Sequence, residues 1–274
     1  LNIYHLHDII LAMKNYLIDT HCHIDMLMEN FFVEEILSEM ENFGVKKAII
    51  PAVDINTQKT VAELAGSYEN LYGMVGIFPT EVKDYIDAYE QKLEILYQNN
   101  SKIVAVGEIG LDYYWDKSFV ALQQEVFKKQ LRLAKRLELP VVIHDRDAHK
   151  DCYDILSAEK PSNGVLFHCF SGSTEFMKEC VKQGWFIAIG GVVTFKNAVK
   201  IKEVARDVPL DKLVLETDSP YLTPVPYRGK TNQPAYTKFT AQEISKLRKT
   251  SLEHIMEITT QNAYKVFGFE ERTT

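Results

Sequence analysis

Short, nearly continuous apolar runs punctuate this chain, and amphipathic stretches separate them. The runs lie near 16–20, 46–53, 71–78, 103–109, 140–145, 164–169, 185–190 and 212–217. Ile103-Val104-Ala105-Val106, Val141-Val142-Ile143 and Phe186-Ile187-Ala188-Ile189 are typical of their cores. They are rich in β-branched residues and do not alternate with polar ones. That is the pattern of strands covered on both faces. Between them, 31–43 places Phe32, Ile36, Leu37 and Met40 at helical spacing, and 118–137 repeats Leu122, Val126, Leu133 and Leu137 with Lys and Glu opposite. Gly44, Gly184 and the Leu139-Pro140 step end helices before the next strand. Ser171, Ser173 and Thr174 are N-cap candidates for a helix running through Val181. A loop at 221–236, with Pro224, Pro226 and Pro234, precedes two closing helices near 237–249 and 251–267.

Strand and helix thus alternate about eight times over roughly 250 residues, the size of a (β/α)8 TIM barrel. An open doubly wound sheet is the competing architecture. It would carry G-x-G-x-x-G after its first strand to hold a dinucleotide. Here the first strand runs instead into His21-Cys22-His23. Gly229-Lys230-Thr231 has the tail of a phosphate-binding loop, but Pro224 stands at the leading glycine. With no repeat or linker, one domain is expected over 16–269. Residues 1–15 read as an extension, in which Leu1 to Ala12 precede a natural-looking start at Met13.

Composition narrows the function classes. A net charge of -7 over 274 residues argues against a broad non-specific nucleic-acid surface. It leaves room for an enzyme that grips a few phosphates in one cleft. The four cysteines form no C-x-x-C pair and read as reduced thiols of a cytoplasmic protein. Cys22 and Cys169 adjoin candidate ligand histidines, but alternation along a strand turns neighbours to opposite faces, which favours packing. No run is long enough to span a membrane, and the first residues lack the features of a signal peptide. No membrane partner is expected, and a monomer fits.

The candidate chemistry gathers at strand ends. His21 and His23 share a face and make half of a metal site. His5 and His7 have the same spacing but no preceding apolar run, and are set aside as a decoy. Glu108, His144, His168 and Asp218 each close an apolar run of their own. In a barrel those six groups, from five strands, meet on the carboxyl-end rim. Four imidazoles and two carboxylates suit one or two divalent cations. Glu108 has two oxygens with which to bridge a pair. Asp218 is placed to orient a bound water and take its proton.

The motifs Asp19 to Asp25, Gly107-Glu108-Ile109-Gly110-Leu111-Asp112-Tyr113, His144-Asp145-Arg146-Asp147-Ala148, His168-Cys169-Phe170-Ser171-Gly172 and Glu216-Thr217-Asp218-Ser219-Pro220-Tyr221-Leu222 closely resemble those of the TatD family of metal-dependent deoxyribonucleases, within the amidohydrolase-like barrels. Arg228-Gly229-Lys230, Asn232 and Pro234 also fit, and the likeness runs from about Tyr16 to Phe267. It implies metal binding by His21, His23, Glu108, His144, His168 and Asp218, with a pair of Mg, Mn or Zn ions. It implies Asp218 and Glu108 as catalytic groups. It also implies hydrolysis of DNA phosphodiesters, often from the 3′ end, on single-stranded or frayed ends, as in DNA repair. Another ester, such as an aminoacyl-tRNA or a small phosphoester, is the alternative substrate. A catalytically idle metal- or nucleic-acid-binding module is the alternative of another class. Arg146 faces the same side as His144 and is a candidate phosphate clamp. Arg228 and Lys230 either hold phosphate after the eighth strand or sit in a solvated loop. Tyr113 and Tyr114 either stack on a base or pack, and Trp115 is equally open. Phe78 departs from the family pattern, which has histidine before that proline; phenylalanine offers neither donor nor ligand atom.

Overall fold

In the computed structural model, residues 16–86 and 88–269 are described. The 1–15 extension and its His5/His7 pair lie outside them. Eight strands form one parallel sheet in sequence order: β1 (Leu17–Asp19), β2 (Val45–Pro51), β3 (Leu71–Val75), β4 (Ile103–Asp112), β5 (Val141–Arg146), β6 (Val165–Phe167), β7 (Phe186–Ile189) and β8 (Leu213–Leu215). The sheet curls until its ends meet. The Thr20 N–H donates to Leu215 O at 3.0 Å, and Cys22 bridges Ser219. The expected barrel is therefore what the chain forms. Parallel neighbours need crossover connections, and helices such as Val33–Phe43, Thr57–Ser67, Val120–Leu137 and His149–Glu159 supply them.

The apolar runs divide by parity. Ile18, Ile49, Met74, Val104, Val142, Leu166, Ala188 and Val214, one from each strand, fall in a single buried cluster. A cluster that draws on every strand fills the barrel interior. Leu17, Ala48, Ile50, Val141 and Ile143 instead join Ile36, Met40, Phe127 and Leu131 of the surrounding helices. The apolar core of each strand is thus covered on both faces, which is why the runs read as continuous. Helix ends follow the local signals. Ser173 Oγ accepts the Phe176 N–H at 3.2 Å to start Thr174–Lys182, and Gly44, at φ 77°, ends Val33–Phe43.

Three strand bounds differ from the sequence reading in ways that shape the site. β3 stops at Val75, and the Phe78 N–H pairs with Val53 O at 2.7 Å before a 3-10 turn that starts at Pro79. β8 stops at Leu215, so Glu216 to Asp218 continue as irregular chain instead of strand. β4 runs on to Asp112, with an irregular register between Val106 and Ile109. Glu108 therefore sits on a bulge within β4, not at its end, and His144 likewise lies inside β5. A bulge re-aims the side chain it carries. Beyond it, β4 approaches β5 closely enough that a Cβ on Gly110, at φ 144°, would lie 2.0 Å from His144 O. Only glycine fits there.

Candidate metal centre

The first and last strands lock their turns together. The His21 N–H donates to Asp19 Oδ1 at 3.2 Å, the Asp218 N–H to His21 O at 2.9 Å, and the His23 N–H to Ser219 O at 2.7 Å. Asp19 Oδ1 also accepts the Thr217 N–H at 2.9 Å, and its Oδ2 the Thr217 hydroxyl at 2.5 Å. Asp218 adopts φ 55°, a left-handed turn that its short polar side chain tolerates, and its carboxylate reaches the histidines. Asp218 Oδ1 lies 3.6 Å from His23 Nε2 and 3.8 Å from His21 Nε2.

Glu108 stands at the centre. Its Oε1 is 2.7 Å from His168 Nε2 and 2.8 Å from His144 Nδ1, and its Oε2 is 3.3 Å from His21 Nε2. One oxygen thus faces His144 and His168 while the other faces His21, the division that a bridging carboxylate needs. The six residues converge from five strands as the sequence pattern suggested. Potential ligand atoms in the sets His21/His23/Glu108 and Glu108/His144/His168 lie within 4.8 Å of one another.

Electrostatics show what the cluster lacks. Burial would raise the Glu108 carboxyl, but the imidazoles of His168 and His21 hold it well below the usual carboxylate range. Burial would lower His168, but the facing Glu108 carboxylate pushes it up to about 10. His21 falls to about 4 through burial and the neighbouring His168 charge. Both ring nitrogens of His21, with Nδ1 of His23 and of His168, are buried without a hydrogen-bond partner. Buried polar atoms are ordinarily paired, and each one left unpaired costs roughly 1–3 kcal/mol. Of these nitrogens, His21 Nε2 faces Glu108 Oε2 at 3.3 Å and Asp218 Oδ1 at 3.8 Å, and a divalent cation held there would meet its need, so the residues present fit a metal centre.

The centre lies in a cleft of about 820 Å³, lined also by Phe78, Trp115, Arg146 and Tyr221. Arg146 is exposed there, so the structure brings it to the site. It does not bring Tyr113, Arg228 or Lys230 into the cleft wall. The Tyr113 hydroxyl donates to Asp151 Oδ2 at 2.8 Å and its ring packs on the core. Of the neighbouring aromatics it is Trp115 that lines the cleft. Arg228 Nη1 donates to Thr223 O at 3.0 Å, and its guanidinium covers the Phe195 ring at 4.0 Å. Lys230 is exposed, 5.3 Å from the Tyr227 ring. Cys22 is fully buried, its Sγ 3.6 Å from Ile49 O, while Cys169 reaches the cleft wall.

Two supporting carboxylates had no role assigned from the sequence. Asp112 Oδ2 is 3.0 Å from His144 Nε2. Glu216 is fully buried, accepting the Cys169 N–H on Oε1 at 2.6 Å and facing His168 Nδ1 with Oε2 at 3.8 Å. Both occupy motif positions, but only the folded chain shows which histidine each one faces.

A profile of the family described as TatD related DNase matches residues 18–268. A metal-dependent hydrolase of Bacillus subtilis (strain 168), YabD, is 41% identical over 92% of this chain and 98% of its own. Another from Escherichia coli (strain K12), YcfH, is 35% identical over 93% and 97%. The crystal structure of YjjV, a TatD homologue from Escherichia coli K12, superposes with a TM-score of 0.86 at 32% identity, covering 93% of this chain and 98% of that one.

Proposed function

The chain belongs to the TatD family of metal-dependent hydrolases, and on that premise we propose that it cleaves phosphodiester bonds at single-stranded or frayed DNA ends. The observation that carries this reading is Glu108, with its two oxygens turned to different imidazoles on the floor of an open cleft. His21, His23, Glu108, His144, His168 and Asp218 would hold the metal, with Glu108 shared between two ions. Bound divalent cations supply Lewis acidity toward the phosphoryl oxygen and a water acidic enough to ionise near neutral pH.

The remaining steps belong to the chain. Asp218, whose side chain is 17% exposed to the cleft, accepts the proton of the attacking water. His144 is held by Asp112 so that Nδ1 faces the centre. Arg146 stands on the cleft wall with no carboxylate partner among the described residues, free to neutralise a phosphate. Buried Asp19 fixes the turns that carry His21 and Asp218.

Phe78 favours a second reading. It puts an apolar ring on the cleft wall beside Met26 and Val53, which suits an ester with less charge, such as an aminoacyl or small phosphoester. Incubating the purified protein with single-stranded DNA, duplex DNA and a small aryl phosphodiester, with and without chelator, tests both. Chelator-sensitive loss of nucleotides from single strands is the expected result. Hydrolysis of small esters alone would remove DNA as substrate.

A further inference from the structure

Above the metal centre the cleft wall carries aromatic side chains that the proposed chemistry leaves unused. Tyr114 and Trp115 lie just beyond β4, after Tyr113, with ring centroids 5.0 Å apart and planes nearly perpendicular. They are 55% and 67% exposed. Scattered exposed aromatics are ordinary and by themselves mean little. Three observations set this pair apart. Trp115 lines the same cleft as Glu108 and Asp218. The Arg146 guanidinium lies 4.0 Å from the Tyr114 ring centroid and 5.4 Å from that of Trp115. The aromatic turn is also tied to the metal centre. Asp112 Oδ1 accepts the backbone N–H of Tyr114 at 2.9 Å and of Trp115 at 3.2 Å, while Oδ2 faces His144 Nε2 at 3.0 Å.

We propose that the Tyr114–Trp115 turn is a base-stacking subsite for single-stranded nucleic acid, with Arg146 receiving the adjoining phosphate and Asp112 acting as a positioning residue that sets the turn against the metal centre. The proposal rests on the phosphodiesterase reading of that centre. Every base has a π face, so an indole accepts any sequence. Bases in a duplex are already stacked on each other, so the subsite takes single strands and frayed ends. The chain carries a net charge of -7, and a cation beside the indole supplies the local attraction that the whole surface lacks. An Arg next to an aromatic face gives one nucleotide both of the contacts it needs, stacking for the base and charge for the phosphate.

Indole fluorescence reads the subsite without turnover. The chain has two tryptophans, Trp115 and Trp185, and the second is only 7% exposed, packed against Phe167 and Tyr153. Chelator-treated protein is titrated with a short single-stranded oligothymidylate, and binding is followed independently by anisotropy of a labelled strand. Indole quenching is expected in step with binding. Trp115→Phe should bind but lose the quench, and Trp115→Ala should bind about tenfold more weakly, within the range for one stacked base. A strand with abasic terminal positions should lose affinity for the native protein and not for Trp115→Ala. Binding without quenching, or equal affinity in Trp115→Ala, would overturn the subsite. If the native protein still cleaves the strand in metal, the phosphodiesterase reading survives that failure. If the native protein neither binds nor cleaves the oligothymidylate but hydrolyses a small aryl diester, the subsite is likewise overturned and only the nuclease assignment falls with it.

Discussion

Asp112 Oδ2 lies 3.0 Å from His144 Nε2, at the ring edge away from Glu108. A carboxylate there keeps the proton on Nε2 and leaves Nδ1 to face Glu108. Such partners typically govern affinity by about 10–100-fold. Asp112→Asn is expected to weaken metal binding by about that factor while the far-ultraviolet circular dichroism stays unchanged. Competition titration against a coloured chelator measures it. Native affinity in the variant would remove Asp112 from the metal centre.

Glu108 and Asp218 should fail differently. Glu108→Ala removes the carboxylate that touches three histidines, so metal stoichiometry and hydrolysis should fall together. Asp218→Asn keeps an oxygen near His23 but loses the base. Much of its metal should remain while kcat drops about 10²–10⁴-fold. Elemental analysis alongside steady-state kinetics separates the two. Unchanged metal content and near-normal activity in Glu108→Ala would end the bridging role.

Phe78 meets His144 edge to face, ring centroids 4.5 Å apart, on the cleft wall. Phe78→His places a donor where the chain has none. On a short single-stranded oligonucleotide kcat/KM is expected to rise by the worth of one charge-assisted hydrogen bond, about 1.5–3 kcal/mol. Equal rates for the two proteins would show that the native phenylalanine is silent.

The metal-free fold should weaken as pH rises. Burial pushes the Asp19 carboxyl up to about 7, against hydrogen bonds from Thr217 and His21, and burial pushes Glu216 up to about 8. In an unfolded chain both ionise near 4. Between those values the folded chain holds protons that the unfolded chain releases, so stability falls with rising pH. His168 acts in the same direction. Its contribution is complete below roughly 6.5 and is lost as pH climbs toward about 10. Glu108, held far below the usual range, titrates on the acid side of this window. Below about pH 6.5 His21, held down at about 4, works the other way, so thermal melts of chelator-treated protein should show a falling Tm from pH 6.5 to 8. Asp19→Asn should flatten the slope below pH 7, each pKa unit being worth about 1.4 kcal/mol. Parallel slopes in variant and native protein would contradict the buried-carboxyl account.

The barrel and the convergence of the six candidate residues were legible in the chain because each rests on a local pattern. A strand covered on both sides has no polar face, so Ile103 to Val106 and Val141 to Ile143 declare themselves as unbroken apolar runs. A side chain aimed at the rim must follow such a run, as those of His144, His168 and Asp218 do. Ser173, Gly44 and Gly184 mark helix ends through the backbone groups left unpaired within a turn or two of them.

What only the tertiary structure decided is the pairing of distant residues and the direction of side chains at irregular backbone. Asp112 and His144 are 32 positions apart, and nothing in either segment names the other. Their meeting depends on β4 lying against β5 with a bulge that offsets the two strands, a register set by the assembled sheet. The same bulge turns Glu108 inward from the middle of a strand. In the turn beyond β4, strict alternation no longer holds. Tyr113 packs against the core while Trp115 faces the cleft, because Asp112 gathers the two backbone amides after it. Arg228 likewise had chemistry suited to a phosphate, but the loop folds so that its charge is spent on Thr223 O and the Phe195 ring. Sequence determines which groups are available and roughly where each strand ends. Which of them share one cleft follows from closing the sheet into a ring, since only closure brings β1 and β8 side by side and sets His21 against Asp218.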